Sequence, residues 1–452
     1  MSQFLKKVVL YLIISVLFFA ILFTYPLYTY SQQEAPDKLG LSAKAAILVE
    51  AHTGQILFEK NPNLRCFPAS TTKVLTALVA ISYEHDLNKI FKVSSKATMI
   101  EPGSSSYYLN PGETISFQDL LYAMLLISAN DAANVIAENI AGSIPEFVKK
   151  MNEYAKSIGA KNSYFVNPHG LHSPEHYTTA YDLSLIARQA YQNEILRKIF
   201  STVEYRITTA SMHEKPEWQI IYNINKLLRK NSKYYYPYAT GIKTGYTTQA
   251  KRCLIASAKK DDVELIAIIL FSEDAFSDAI KLFNYGFNNF KREKLFSENQ
   301  IVGKVLIDKT NHKWLNGYIK IPVYVLQNVY SPAESNFTYT VDFSKDLIKI
   351  PIYKDTVIGN VYIYSKEHLI NSIPVLSYES YEIQPAKKIL QNVKKGLIKG
   401  TKIVIELLIG AILLVLLFTI IIIIRFKRRR AKLKLRATKT IDFSNLHNRR
   451  LK

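Results

Sequence analysis

The chain has 452 residues, 48% of them hydrophobic and 21% charged, enough for two or three domains and a substantial core. Its net charge of +21 sits at the ends: residues 1–30 supply two charges, 387–402 six and 425–452 a net eleven, Glu406 removes one, and about +3 is left for residues 31–386. That distribution excludes a nucleic-acid-binding body and points to termini beside a membrane, while two cysteines, Cys66 and Cys253, exclude a disulfide framework.

Lys6 and Lys7 precede an apolar run from Val8 to Tyr25, so residues 1–31 read as a signal peptide or a retained N-terminal anchor, without a clean A-x-A cleavage site. Residues 44–58 read as a strand, a Gly turn and a second strand. Pro68-Ala69-Ser70 then opens the periodic run Val74, Leu75, Ala77, Leu78, Ile81, which predicts a helix with Ser70 in its first turn. Lys73 is three residues on and shares a helical face with Ser70. A serine hydroxyl is a weak nucleophile until a base takes its proton, and a lysine of lowered pKa can do so. Alone, the pair is better explained as an N-cap and an exposed lysine.

The apolar run 120–127 ends at Ser128-Ala129-Asn130, and a second helical run follows at 132–137. Between two apolar helices such a triplet can project into a cleft, where Ser128 relays a proton and Asn130 holds a substrate carbonyl. By itself it is capping chemistry. His169, His172 and His176 read as loop residues and not as a zinc site. Lys243-Thr244-Gly245 precedes a strand at 253–257. An edge strand with Lys243 and Thr244 facing a cleft suits an anionic substrate terminus, with Gly245 allowing close backbone approach; the alternative is a charged hairpin. Ser257-Ala258-Lys259-Lys260 and Ser297-Glu298-Asn299 repeat the first two motifs by chance, and Ser257 reads as part of a solvated turn. Both cysteines read as small buried residues near the cleft, without a bridge.

Helical patterns dominate 70–200, strand patterns return at 253–271, and a last helix covers about 277–291. Beyond residue 295 come short β-branched or aromatic runs at 304–307, 319–326, 337–343 and 357–364, which read as a small β-sandwich domain over 296–384. The lysine-rich segment 385–402 reads as a basic amphipathic linker resting on anionic membrane lipids. Residues 403–424 are an apolar run of bilayer-spanning length. Arg425, Lys427 and Arg428-Arg429-Arg430 follow it, so the 425–452 tail is expected in the cytoplasm and residues 40–385 outside.

The three motifs stand in fixed order within PASTTKVLTALVA (68–80), SANDAANVIAE (128–138), NPHGL (167–171), TTAYDLSLIA (178–187), GIKTGYT (241–247) and CLIASAKKDDVELIAIIL (253–270). In these stretches the chain resembles the low-molecular-mass penicillin-binding proteins, serine-type D-Ala-D-Ala carboxypeptidases. The resemblance implies an α/β (α+β) serine penicillin-recognising fold over residues 32–292, with the cleft between a sheet and its helices, followed by the small all-β domain and the C-terminal transmembrane helix. It implies Ser70 as nucleophile, Lys73 as base and Ser128 as the second proton-handling group, with Asn130, Lys243, Thr244, Gly245 and Tyr246 meeting the substrate. The N–H groups of Ser70 and Tyr246 would form the oxyanion hole. No cofactor or metal is implied; the expected partners are peptidoglycan stem peptides and β-lactam antibiotics. Two departures stand out. Many relatives carry an arginine just ahead of the helix that begins near Ser277, where this chain has Asp274-Ala275-Phe276; Arg252 is a candidate substitute. Lys251 also stands where relatives often have a small residue. A β-lactamase using Glu175 for deacylation and a β-lactam sensor signalling through the membrane helix remain as alternatives.

Overall fold

The computed structural model describes residues 39–440, apart from 214, 309–310, 331–336, 366–367 and 383–384; the signal-like residues 1–31 and the end of the tail, 441–452, lie outside them. The chain divides into two compact units, one of residues up to 302 with 319–342 and 359–375, the other of 303–318, 343–358 and 376–452.

In the first unit, strands β1 (Ala45–Glu50) and β2 (Ile56–Lys60) form the expected hairpin. A 3₁₀ turn, Ala69–Thr72, leads into helix α1 (Lys73–Tyr83). Short strands β3 (Ile90–Lys92) and β4 (Thr114–Ser116) pair ahead of α2 (Phe117–Leu126), α3 (Asn130–Ala141), α4 (Ile144–Ser157), α5 (Ala180–Gln192) and α6 (Glu194–Ser201). A second small hairpin, β5 (Glu204–Arg206) with β6 (Ile220–Tyr222), flanks the one-turn α7 (Pro216–Gln219). Strands β7 (Ala239–Thr247), β8 (Lys251–Lys260) and β9 (Val263–Ser272) then complete an antiparallel sheet in the order β2-β1-β9-β8-β7, and α8 (Ala275–Asn289) follows.

The sheet is buried on both faces, and strand alternation sorts its side chains between them. Ile47, Ile255 and Ile268 pack with the helices α1 to α6, while Leu48, Leu254 and Ile269 pack with Leu282 and Phe283 of α8. Helix α1 is buried from Lys73 to Ile81, which explains why its sequence is apolar on every side and not along one stripe. Strand β7 lies at the sheet edge, as its motif suggests.

Three local expectations change. Ser257 is not in a solvated turn: β8 runs on to Lys260, Ser257 is fully buried, and its Oγ lies 2.8 Å from Thr240 Oγ1. Asp261-Asp262 makes the turn, so the two lysines are strand residues facing out. The last helix ends at Asn289, and Phe290–Phe296 is strand β10. The run 319–326 is broken at Lys320–Pro322 between β12 (Lys313–Ile319), which follows β11 (Gln300–Asp308), and β13 (Val323–Asn328).

Strand β10 pairs antiparallel with β13, Arg292 opposite Leu326. Strands β14 (Phe337–Phe343) and β15 (Val357–Ser365) match the sequence runs, whereas β16 (His368–Ser377) was hidden by Pro374 in its interior. Within the second unit the end of β16 pairs with β12, Gly317 opposite Ser377, and Tyr318 donates its hydroxyl hydrogen to Asp355. Helix α9 (Pro385–Thr440) runs unbroken for 56 residues. The stretch Asn392–Arg430 is long and apolar enough to cross a membrane, with a mean hydropathy of 3.4 in its most apolar window and no burial against the protein. The change at Ile403 from lysine-rich to apolar is therefore one of side chains, with no break in the backbone.

Candidate active site

Ser70 is held by its own turn. Thr71 Oγ1 donates to Pro68 O at 2.6 Å and Thr72 Oγ1 to Ala69 O at 2.8 Å, so both threonines tie the 3₁₀ turn to itself. Ala69 sits at φ +49 to admit the turn. Because the turn runs straight into α1, Ser70 and Lys73 stand one turn apart, as the sequence expects, although Ser70 is in the 3₁₀ segment and not in the α-helix itself.

Lys73 is completely buried and donates to three acceptors: Ser70 Oγ at 3.1 Å, Asn130 Oδ1 at 2.7 Å and His169 O at 2.7 Å. Those contacts match the three hydrogens of an ammonium. In the neutral amine, two hydrogens serve Asn130 and His169, and the lone pair is left for the Ser70 hydroxyl. Burial holds the Lys73 pKa well below its usual value, the charge of Lys243 lowers it further, and Asp131 opposes both. Lys243 is also buried, and its pKa is pushed down to about 7 by desolvation.

Ser128 bridges α2 and α3 at φ +67, and Asn130 opens α3 with its N–H donated to Ser105 O at 2.9 Å. The next residue, Asp131, escaped the sequence reading. Its buried carboxylate accepts from Ser106 Oγ at 2.7 Å, Tyr107 N at 3.1 Å and Leu109 N at 3.0 Å, and so fixes the loop that walls the cleft. Its signal was its place directly after Asn130 in the cap.

On the other side, β7 lies against the serine turn. A Cβ on Gly245 would come within 3.0 Å of Ser70 N and 3.1 Å of Pro68 O, so the strand can approach this closely only as glycine. Gly170, at φ +85 in the Asn-Pro-His-Gly-Leu turn, is pressed closer still: its Cβ would lie 1.9 Å from Ala69 O.

Ser70, Ser128, Asn130, Thr244, Gly245 and Tyr246 line one cleft of 720 Å³. Lys73 and Lys243 lie under its floor. Lys243, expected to face the cleft, is 1% exposed and donates to Thr244 O at 3.0 Å. Alternation along the strand turns Thr244 to the wall in its place.

The histidines build the loop behind the lysine. His176 Nε2 lies 2.9 Å from Thr72 Oγ1, and His172 packs edge-on against Phe67 with centroids 4.6 Å apart. Burial pushes His169 and His176 down to about 3, so both are neutral at neutral pH. No cluster among the described residues could hold a metal ion. Glu175 is exposed and does not line the cleft. Cys66 and Cys253 are buried free thiols, pushed up to about 11 and about 12 by burial, and Cys253 lines the cleft. Arg252 lines it too, whereas Lys251 occupies a φ +55 position beside it.

The family model of D-alanyl-D-alanine carboxypeptidases, peptidase S11, matches residues 31–274, and that of the penicillin-binding protein 5 C-terminal domain matches 290–382. The chain is 34% identical over 350 residues to D-alanyl-D-alanine carboxypeptidase DacF of Bacillus subtilis, covering 76% of this chain and 87% of that protein. It is 28% identical over 338 residues to DacA of Haemophilus influenzae, covering 71% and 80%. Penicillin-binding protein 5 from Haemophilus influenzae superposes with a TM-score of 0.60 at 25% identity, over 76% of this chain and 98% of that one. A Streptococcus pneumoniae protein, PBP3, shares the fold at a TM-score of 0.63 and 21% identity, over 76% and 100%. The chain therefore belongs to the D-alanyl-D-alanine carboxypeptidase family, the low-molecular-mass penicillin-binding proteins, and is a serine-type peptidase.

Proposed function

We propose that this carboxypeptidase removes the terminal D-alanine of peptidoglycan stem peptides through an acyl-enzyme on Ser70, and that β-lactams acylate the same hydroxyl. Lys73 takes the Ser70 proton as Oγ attacks the penultimate carbonyl carbon. The N–H groups of Ser70 and Tyr246 receive the oxyanion. Ser128 delivers a proton to the departing amine, the C–N bond breaks, and D-alanine leaves. Water then attacks the ester, returning the proton to Ser70 and releasing the shortened peptide. Asn130 holds the substrate amide, and Lys243 and Thr244 favour its anionic terminus. The observation that carries this reading is the buried Lys73 amine 3.1 Å from Ser70 Oγ with its other hydrogens committed to Asn130 and His169.

In this reading residues 32–292 are the catalytic domain and 296–384 the β domain. Residues 403–424 cross the membrane, the basic tail lies in the cytoplasm, and the lysines of 387–402 meet anionic headgroups on the outer side. The positive flank after the span supports that orientation.

The experiment is D-alanine release from a diacyl-Lys-D-Ala-D-Ala tripeptide by the detergent-solubilised full chain, beside Ser70→Ala. Release by the wild type and none by the variant is expected, with penicillin labelling lost in parallel. An undiminished rate in Ser70→Ala would sink the proposal.

A further inference from the structure

Glu113 and His213 are buried, titratable and unused by the mechanism above. Glu113 precedes β4 and is fully buried; His213 sits between β5 and α7 and is 7% exposed. The His213 ring bridges two oxygens, with Nδ1 2.8 Å from Glu113 Oε1 and Nε2 3.1 Å from Tyr107 O. A carbonyl only accepts. Glu113 already accepts from Met212 N at 3.1 Å and Asn110 N at 2.9 Å, which suits an ionised carboxylate, again an acceptor only. Both ring nitrogens must therefore carry hydrogen, which makes His213 an imidazolium. Its ring also stacks on that of Tyr107, with centroids 4.6 Å and planes 18° apart, a face-on contact that suits a cation.

The segment that carries His213 is itself anchored. Thr209 N and Oγ1 donate to Asp119 Oδ2 at 2.9 and 2.7 Å, and Ser211 N donates to Thr114 O of β4 at 2.9 Å. From this base the ring holds Tyr107, whose hydroxyl donates to Trp218 O at 3.0 Å. Tyr107 lies two residues beyond the cleft-lining stretch 101–105, and Ser105 O receives the Asn130 N–H at 2.9 Å. Asn130 Oδ1 in turn holds Lys73 Nζ at 2.7 Å. Hydrogen bonds and a short piece of backbone thus connect His213 to the amine beside Ser70. The other titratable groups around the ring are Asp131, which accepts from Tyr107 N at 3.1 Å, and Asp119, whose charge acts on the Tyr107 hydroxyl. Trp218 packs against the ring at 6.0 Å between centroids, and Lys215 Nζ stands 4.7 Å from the Trp218 ring centre.

We propose that the His213 imidazolium is a positioning residue for acylation: its Nε2–H pins Tyr107 O, and with it the cleft wall that seats Asn130 against Lys73. This role rests on the acyl-enzyme reading of Ser70 and adds a control by pH. When the ring gives up a proton as pH rises, the Glu113 carboxylate keeps the remaining hydrogen on Nδ1. Nε2 then turns a lone pair toward Tyr107 O, acceptor faces acceptor, and the wall loses its brace.

The test uses the full chain in detergent and reads the saturating rate of penicillin acylation against pH. An Asn amide reaches the place of Nδ1 and a Gln amide that of Nε2, so two variants split the bridge. His213→Asn keeps the donor to Glu113 and loses the one to Tyr107 O; its rate is expected to fall about tenfold. His213→Gln loses the bond to Glu113, and so more in Tm, yet recovers most of the rate. The wild-type rate falls on the alkaline side, and this limb is missing from His213→Gln, whose amide donates at every pH. Rates that follow the Tm order in the two variants, the mark of a merely structural role, would overturn the proposal, as would a wild-type rate in His213→Asn. A second readout needs no turnover: in ¹⁵N-histidine spectra, with His213 assigned from its loss in His213→Gln, both ring nitrogens are protonated at pH 7. One bare ring nitrogen there would overturn the proposal. Failure of the wild type to release D-alanine or take up penicillin strikes the carboxypeptidase reading instead, and the spectra still decide the state of His213.

Discussion

The same side chain is used in opposite ways in two regions of this molecule. Lys73 and Lys243 are sealed beneath the cleft, where desolvation disfavours their charge. Lys394, Lys395, Lys399 and Lys402 stand exposed on α9 just ahead of its apolar run. A lysine becomes a base or a charge according to what surrounds it. Denying the cleft lysines water lowers their pKa, as the proposed proton acceptor requires, whereas the helix lysines stand in water at the boundary of the apolar stretch.

The strongest way to break this contrast is at Lys73. Lys73→Met keeps the volume but removes the lone pair, and the rate of penicillin acylation in stopped flow is expected to fall by about 10²–10⁴-fold. A variant acylated at the wild-type rate would mean that another group deprotonates Ser70.

Glycine sharpens the same contrast by steric means. Gly245→Ala forces a methyl against Ser70 N and Pro68 O, 3.0 and 3.1 Å away, and so shifts the serine turn and the backbone N–H proposed to bind the oxyanion. Acylation is expected to slow about tenfold or more. Gly410, on the exposed helix, has nothing within 4 Å of its added Cβ. Gly410→Ala leaves the acylation rate unchanged, and an equal loss in both variants would deny that the serine turn is the sensitive element.

What the sequence made legible follows the same division. The positions of Ser70, Lys73, Ser128 and Asn130 were readable because their motifs sit at helix starts and junctions, where polar residues interrupt apolar periodicity, whereas Thr244 lies within strand β7 and was readable from its motif. The membrane-length helix was readable from length and flanking charge. Asp131 and Gly170 were not, because each acts on residues distant in sequence: the 106–109 loop and the Ala69 carbonyl. Ser257 was misread for a related reason. Lys259-Lys260 looks like a turn, yet Lys259 finds Glu264 at 2.7 Å across the hairpin and stays in the strand. Periodicity describes an element's own faces, while burial of a charged or polar residue depends on a partner that the local pattern does not contain.

Titration measures the cost of the buried lysines. The Lys243 pKa falls from 10.5 to about 7 on folding. Between those values the unfolded chain binds more protons than the folded one, so stability rises with pH across that window and carries the full penalty of the buried charge below about 7. The slope this group adds is at most about 1.4 kcal/mol per pH unit. Lys243→Met is expected to flatten the Tm–pH curve between about pH 7 and 10 and to raise Tm most on the acid side. Parallel curves for variant and wild type would show that Lys243 is not desolvated. Under the proposed mechanism the activity is expected to move oppositely: the cationic Lys243 that favours an anionic substrate is lost as pH rises through about 7, so KM for the tripeptide climbs there, while kcat falls on acidification as Lys73 gains a proton.

The smallest effect belongs to the exposed lysines. Replacing Lys394, Lys395, Lys399 and Lys402 together by Gln removes four charges that have no ion-pair partner among the described residues. Such surface changes usually alter stability by less than about 0.5 kcal/mol each. Turnover of the tripeptide by the detergent-solubilised variant is therefore expected to stay within about twofold of wild type, because a small substrate in detergent meets no anionic bilayer. In vesicles the comparison changes: lowering the fraction of anionic lipid or raising salt weakens contact between the wild-type lysines and the headgroups, and the Gln variant loses that dependence. A fall in detergent turnover comparable to that of Lys73→Met would mean that the helix lysines act on the cleft, and the division between a dry lysine beside Ser70 and a wet peripheral one would fail.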